Sequence, residues 1–209
     1  MTARDQILQS TRAALGGGSG RQAEPPPARI RIPERTVEAR IDAFGRAVSA
    51  LAAKMYVTPP AEALKAVAAL VDGKPAVASN APILRECGIA ALPSVQTGFT
   101  DRELLRQACA SAAFGITSTD YALSDTGTLV MLASPDEARM ISLLPPVHIA
   151  IVPRARILTG LDELLSTVPR PGDLASSLVL ITGPSRTADI EQILVRGVHG
   201  PGELHIFVI

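Results

Sequence analysis

Ala61-Glu62-Ala63-Leu64-Lys65-Ala66-Val67-Ala68-Ala69-Leu70-Val71-Asp72-Gly73-Lys74-Pro75-Ala76-Val77-Ala78 decides the fold class. Residues 61–71 have the composition and apolar spacing of a helix, Asp-Gly-Lys-Pro is a turn, and Ala-Val-Ala opens a short apolar strand. The alternation continues downstream. Strands are expected at 76–79, 91–94, 114–117, 129–132, 148–152, 178–182 and 204–208. Helices are expected between most of them, at 82–87, 101–112, 135–144, 161–168 and 187–195. Such a pattern predicts an α/β fold with a mostly parallel sheet and helices on both faces. Residues 114–132 are the exception, because they contain turn residues but no room for a crossover helix, which predicts a small antiparallel excursion.

Upstream, Val37, Ile41, Phe44, Val48, Leu51, Ala52 and Met55 recur at helical spacing, predicting an amphipathic helix from Glu34 to near Pro59-Pro60. Ile7, Leu8, Thr11 and Leu15 form a helical stripe, after which Gly16-Gly17-Gly18-Ser19-Gly20 and Pro25-Pro26-Pro27 interrupt the chain. This reads as an N-terminal helical arm and linker over residues 1–28 and an α/β domain over 29–209. Nine basic and five acidic residues up to Tyr56 leave that part net positive by four, and the remainder net negative by four. A basic arm could fold back, join two copies into a homo-oligomer or recruit a partner; equally, it reads as a solvated tail.

Composition removes several function classes. Twenty Lys+Arg balance twenty Asp+Glu, and aromatics are 3% of 209 residues with no Trp, which argues against a nucleic-acid partner. No apolar run approaches the roughly 20 residues of a membrane span, and Asp5 and Gln6 interrupt any leader-like stretch, so a cytoplasmic location is expected. Cys87 and Cys109 are the only thiols, too few for a zinc or iron–sulfur cage. The sequence calls for no cofactor and no metal.

Three polar segments could carry chemistry. In Thr117-Ser118-Thr119-Asp120-Tyr121-Ala122-Leu123-Ser124-Asp125-Thr126-Gly127-Thr128, Gly127 would let amides approach an anion while Thr126 and Thr128 add hydroxyls; a self-capped hairpin is the alternative. In Thr182-Gly183-Pro184-Ser185-Arg186-Thr187-Ala188-Asp189-Ile190, a Gly-Pro turn would present amides at a helix start, with Arg186 as a forked donor beside Ser185 and Thr187. Ordinary N-capping is the alternative. In Gly197-Val198-His199-Gly200-Pro201-Gly202-Glu203, His199 could act as a general base, an anion donor or a metal ligand, or simply brace the turn. His148 and His205 fall within strands and read as structural, and Asp136-Glu137 and Asp162-Glu163 read as helix starts. Ser185, His199 and Asp189 lack the G-x-S-x-G elbow of a hydrolase.

With those residues in view, the chain resembles the lactate-utilisation protein C family (LutC or YkgG), whose unit is the LUD domain. The resemblance rests on Asp125-Thr126-Gly127-Thr128, Ser142-Leu143-Leu144-Pro145-Pro146-Val147-His148, Gly183-Pro184-Ser185-Arg186-Thr187-Ala188-Asp189-Ile190-Glu191 and Gly197-Val198-His199-Gly200-Pro201. The family usually carries Glu or Ala where this chain has Asp125. The resemblance implies the fold of ribose-5-phosphate isomerase, glucosamine-6-phosphate deaminase and CoA transferases (NagB/RpiA-like). It also implies a part in oxidising L-lactate to pyruvate beside iron–sulfur subunits. The expectation is a non-redox subunit that binds a small anionic metabolite between residues 126–128 and 183–187. Thr126, Gly127, Thr128, Gly183, Ser185, Arg186 and Thr187 would contact the ligand, and Asp125 and His199 would exchange protons. The alternatives are a stand-alone isomerase or acyl/CoA transferase using Asp125, and a purely structural assembly subunit.

Overall fold

The computed structural model describes residues 2–14, 35–168, 177–187 and 195–209. The elements in chain order are α1 (Ala3–Ala14), α2 (Val37–Ala50), β1 (Lys54–Val57), α3 (Pro60–Val71), β2 (Ala76–Ala78), α4 (Pro82–Glu86), β3 (Val95–Gln96) and α5 (Arg102–Ser111). There follow β4 (Phe114–Ser118), β5 (Tyr121–Leu123), β6 (Thr128–Leu132), β7 (Val147–Val152), β8 (Ile157–Leu158), α6 (Leu161–Thr167), β9 (Leu178–Ile181), β10 (Arg186–Thr187), β11 (Val195–Arg196) and β12 (Glu203–Val208). Helix α1 starts at a local cap in which the Thr2 hydroxyl donates to Asp5 Oδ2 at 2.6 Å. The expected boundary between residues 28 and 29 lies outside the described residues.

Six strands form a wholly parallel sheet in the order β1-β12-β7-β4-β2-β3. Because strand side chains alternate, the sheet has two apolar faces. Ala76, Ala78, Phe114, Ile116, Ile149, Ile151 and Phe207 pack with Ala63, Val67 and Val71 of α3 and Leu84 of α4. On the opposite face, Ala150, Val152, Leu204, Ile206 and Val208 meet Ile41, Phe44 and Val48 of α2, and Val77 meets Leu105 and Cys109 of α5. The expected excursion is part of a four-stranded sheet in the order β8-β5-β6-β9, with β5-β6 and β6-β9 antiparallel and β5-β8 parallel, and its Ala122, Leu129 and Ile157 join the α2 core.

Several elements differ from the sequence expectations. Helix α2 ends at Ala50 because Ala52 turns left-handed, at φ 58°, and the Ala53 amide reaches back to the Val48 carbonyl at 3.2 Å. The chain is thereby released as β1, which pairs with β12. Residues 89–91 form a 3-10 turn, and the strand expected at 91–94 begins at Val95. Residues 135–144 form turns instead of a helix, because Glu137 turns inward to hydrogen-bond Ser79 and Ser118. Strand β9 joins the second sheet, not the parallel one. Most of the helix expected at 187–195 lies outside the described residues; at its two ends β10 and β11 pair as an antiparallel ribbon.

Candidate functional site

Gly115 of β4 lies in register with His148 of β7. A Cβ on Gly115 would stand 1.8 Å from the Ile141 carbonyl oxygen, so only glycine lets the 139–143 turns settle onto this face of the sheet. Those turns bring Arg139, Ser142 and Leu143 beside His148. From the other side come residues 182–185, following β9, and the 199–201 turn that precedes β12. The Ser185 amide donates to the Pro201 carbonyl at 2.8 Å, the Gly197 amide to the Ser185 carbonyl at 3.1 Å, and the Gly202 amide to the Pro146 carbonyl at 2.9 Å. The two loops are thus tied to each other and to the start of β7.

These elements enclose a cavity of about 190 Å³ at the amino ends of β7 and β12. Arg139, Ser142, His148, Thr182, Ser185 and His199 supply its polar groups, and no acidic residue among the described residues lines it. Arg139 Nη1 donates to Ser142 Oγ at 2.8 Å, and no carboxylate among the described residues lies within 4.0 Å of the guanidinium. His148 is buried with Nε2 2.8 Å from Thr117 Oγ1. Burial, helped by the neighbouring Arg139 charge, holds its imidazole down at about 3, so it is neutral across the physiological range. A half-buried guanidinium with hydroxyls and imidazoles around it can receive a small anion.

The expected site residues fall into three groups. Gly183, Ser185 and His199 line the cavity. Thr126 and Thr128 approach it indirectly: their hydroxyls lie 2.7 Å apart, and Thr128 Oγ1 is 2.9 Å from the cavity-lining Thr182 Oγ1. Gly127, Asp125 and Arg186 do not line it. Gly127, at φ +68°, makes a close approach to α2, where a Cβ would stand 2.9 Å from the Val48 nitrogen. Asp125 is exposed, with its carboxylate against Gly160. The Arg186 guanidinium donates to the Leu51 carbonyl just beyond α2. Thr187 is the second residue of β10, paired with Val195, and its side chain lies outside the described residues. Sequence reasoning missed Arg139, hidden in an expected helix, and gave His148 a structural role. The 142–148 signature, which ends on His148, was the available pointer to that residue.

A parallel α/β domain with helices on both faces, a small second sheet and this cavity defines the class of protein. The LUD domain family model matches residues 41–209. The chain belongs to the LUD domain family. It is 33% identical over 163 residues to a lactate utilization protein C of Geobacillus kaustophilus, a match covering 71% of this chain and 68% of that protein. It is 37% identical over 107 residues to the protein of the same name from Bacillus licheniformis, covering 49% and 45%. The Halalkalibacterium halodurans protein of that name is 40% identical over 106 residues, covering 49% and 46%. The chain thus spans about half the length of the last two relatives. A crystal structure of a DUF162 family protein from Deinococcus radiodurans shares the fold, with a TM-score of 0.65 and 21% identity over 84% of this chain and 99% of that one.

Proposed function

We propose that the chain is a component of a lactate-utilisation system and binds a small carboxylate in the Arg139–His199 cavity. The observation that carries this reading is the half-buried Arg139 guanidinium at a cavity whose described lining supplies hydroxyls and imidazoles and no carboxylate. In it, Arg139 pairs with the carboxylate, Ser185 and Thr182 offer hydroxyls, neutral His148 offers or accepts a hydrogen bond, and His199 brings a ring nitrogen to the mouth. Asp125, Gly127 and Arg186 lie outside the cavity and take no part in this reading. A volume of about 190 Å³ is below the ~300–1,000 Å³ of drug-sized pockets and suits a ligand of a few carbons. The name of the relatives supports the choice of lactate, of which pyruvate is the oxidised form.

Electrons from lactate would pass to iron–sulfur partner subunits. Cys109 is buried with its thiol pushed up to about 11, and burial, with Glu86 adding to it, raises Cys87, so neither presents a ready thiolate. No helix among the described residues is long and apolar enough to cross a membrane. The reading places the subunit in the cytoplasm, with the N-terminal arm available for assembly. The two-faced parallel sheet supports kinship with the isomerase and CoA-transferase folds. Calorimetric titration with L-lactate and pyruvate tests the site. One of them is expected to bind saturably, and Arg139→Gln to weaken it by about tenfold or more, the worth of a charge-assisted hydrogen bond. Affinity unchanged in Arg139→Gln, or no saturable heat with either acid, overturns the reading.

A further inference from the structure

The carboxyl ends of the parallel strands hold a second polar cluster that the carboxylate cavity leaves unused. Glu137 is only 8% exposed. Its Oε1 accepts three hydrogen bonds, from the Ser118 hydroxyl at 2.6 Å, the Ser118 amide at 2.9 Å and the Ser79 hydroxyl at 2.9 Å. Its Oε2 is shut away from solvent and has no partner among the described residues. Burial pushes the carboxyl up to about 7; the hydrogen bonds from Ser118 and Ser79 oppose this, and the Asp120 charge adds to it. A carboxylate desolvated with no cation pairing it and one oxygen idle weakens the fold in its ionised form, and such groups concentrate where ligands bind or react.

Ser118 connects this group to a cavity of about 320 Å³, which it lines with Thr119, Asp120, Tyr121, Glu86 and Arg156. The Asp120 carboxylate is fixed by the Leu132 amide at 2.7 Å. Arg156 lies over the Tyr121 ring, 5.3 Å from its centre, and donates to the Tyr121 hydroxyl at 3.3 Å, so a guanidinium is held ready at the wall. Open α/β sheets receive their ligands at the carboxyl ends of their strands, which is where this cavity lies and the Arg139 cavity does not.

We propose that the cavity beyond β4 is a second ligand site, which takes a small hydroxylated anion: Arg156 holds its charged end, Ser118 and Asp120 hold its hydroxyls, and Glu137 behind Ser118 takes up a proton as the anion binds. The charged and titratable groups around Glu137 are Asp120 after β4, Asp136 next to it in the chain, and Glu86 of α4 and Arg156 on the cavity wall. With two acids already on that wall, the incoming negative charge favours neutral Glu137, whose proton settles on the idle Oε2. No bond to carbon is made or broken.

The test is calorimetry on the full chain at neutral pH with glycerate and with glycerol 3-phosphate, in buffers of low and high ionisation enthalpy. Inorganic phosphate and glycerol serve as part-ligands. One of the two hydroxylated anions should bind saturably below about 10 mM with net proton uptake, and which one distinguishes a carboxylate from a phosphate ligand. Arg156→Gln, at an exposed position, should weaken binding about tenfold or more, and Glu137→Gln should remove the buffer dependence while binding persists. Arg139→Gln should change neither, which separates this site from the carboxylate cavity. Absence of saturable heat with both anions overturns the proposal. So does binding that Arg139→Gln abolishes and Arg156→Gln spares, proton uptake that survives in Glu137→Gln, or inorganic phosphate binding as tightly as the hydroxylated anions.

Discussion

Single glycines show what the site's shape depends on. At Gly115 a methyl group would overlap the backbone of Ile141, and backbone cannot rotate away as a side chain can. At Gly160 the nearest atom to an added Cβ is Asp125 Oδ2 at 2.5 Å, the far end of an exposed side chain. Its backbone is extended, at φ −168°, which any residue adopts. Gly115→Ala is therefore expected to cost about 3 kcal/mol in urea unfolding, whereas Gly160→Ala stays within about 0.5 kcal/mol. Because Ile141 lies between Arg139 and the 142–148 signature, Gly115→Ala should also weaken carboxylate binding in proportion to how far the turns lift. Equal stability of the two variants would mean that the 139–143 turns do not rest on Gly115.

Among elements, α2 does the most joining. Its Phe44 and Val48 are fully buried between the parallel sheet and the second sheet, and Gly127 and Gly183 both abut its carboxyl end. Arg40 adds a tie across to α6 and β8, bonding the Ile157 carbonyl at 3.2 Å and pairing with Glu163 at 3.2 Å. Phe44→Ala should cost about 3–5 kcal/mol. Removing only the N-cap of α5 with Asp101→Ala, which loses bonds of 2.8 Å to the Glu103 and Leu104 amides, should cost about 1 kcal/mol. A ratio near one would show that α2 does not bridge the sheets. The start of α2 was legible in its apolar spacing; its end was not. Lys54-Met55-Tyr56-Val57 continues the helical spacing and becomes a strand only because β12, some 150 residues later, offers a parallel edge. Segment 135–144 misled for a related reason: Asp136-Glu137 after a proline reads as a helix start, yet Glu137 is drawn inward by serines at two distant strand ends. The Gly183, Ser185 and His199 part of the site could be read because Gly-rich turns announce themselves. Arg139 could not, since its place depends on those long-range contacts.

Across the whole molecule, the two cavities lie at opposite ends of the parallel strands, and each has one buried titrating group whose environment moves it in the opposite direction. His148 is held down at about 3 by burial and the Arg139 charge, so the unfolded chain binds its proton more readily. The stability it contributes is complete above about 6.5 and is lost as pH falls from there towards 3. His205, also lowered chiefly by burial, acts with the same sign. Glu137, pushed up to about 7 chiefly by burial, binds its proton more readily when folded. Its stabilising contribution is complete below about 4.5 and is lost as pH rises through 7. Between about 4.5 and 6.5 the carboxyl offsets part of what the histidines lose. Glu137→Gln removes that offset, so its unfolding free energy should fall more steeply than the wild type's as pH drops from 7 to 4.5. The difference between the two proteins should change by on the order of 3 kcal/mol across that window and stay level on either side. Urea unfolding at half-unit pH steps reads the difference directly. Parallel curves for the two proteins would mean that Glu137 titrates as an ordinary solvated carboxyl, and would remove the proton acceptor from the second site.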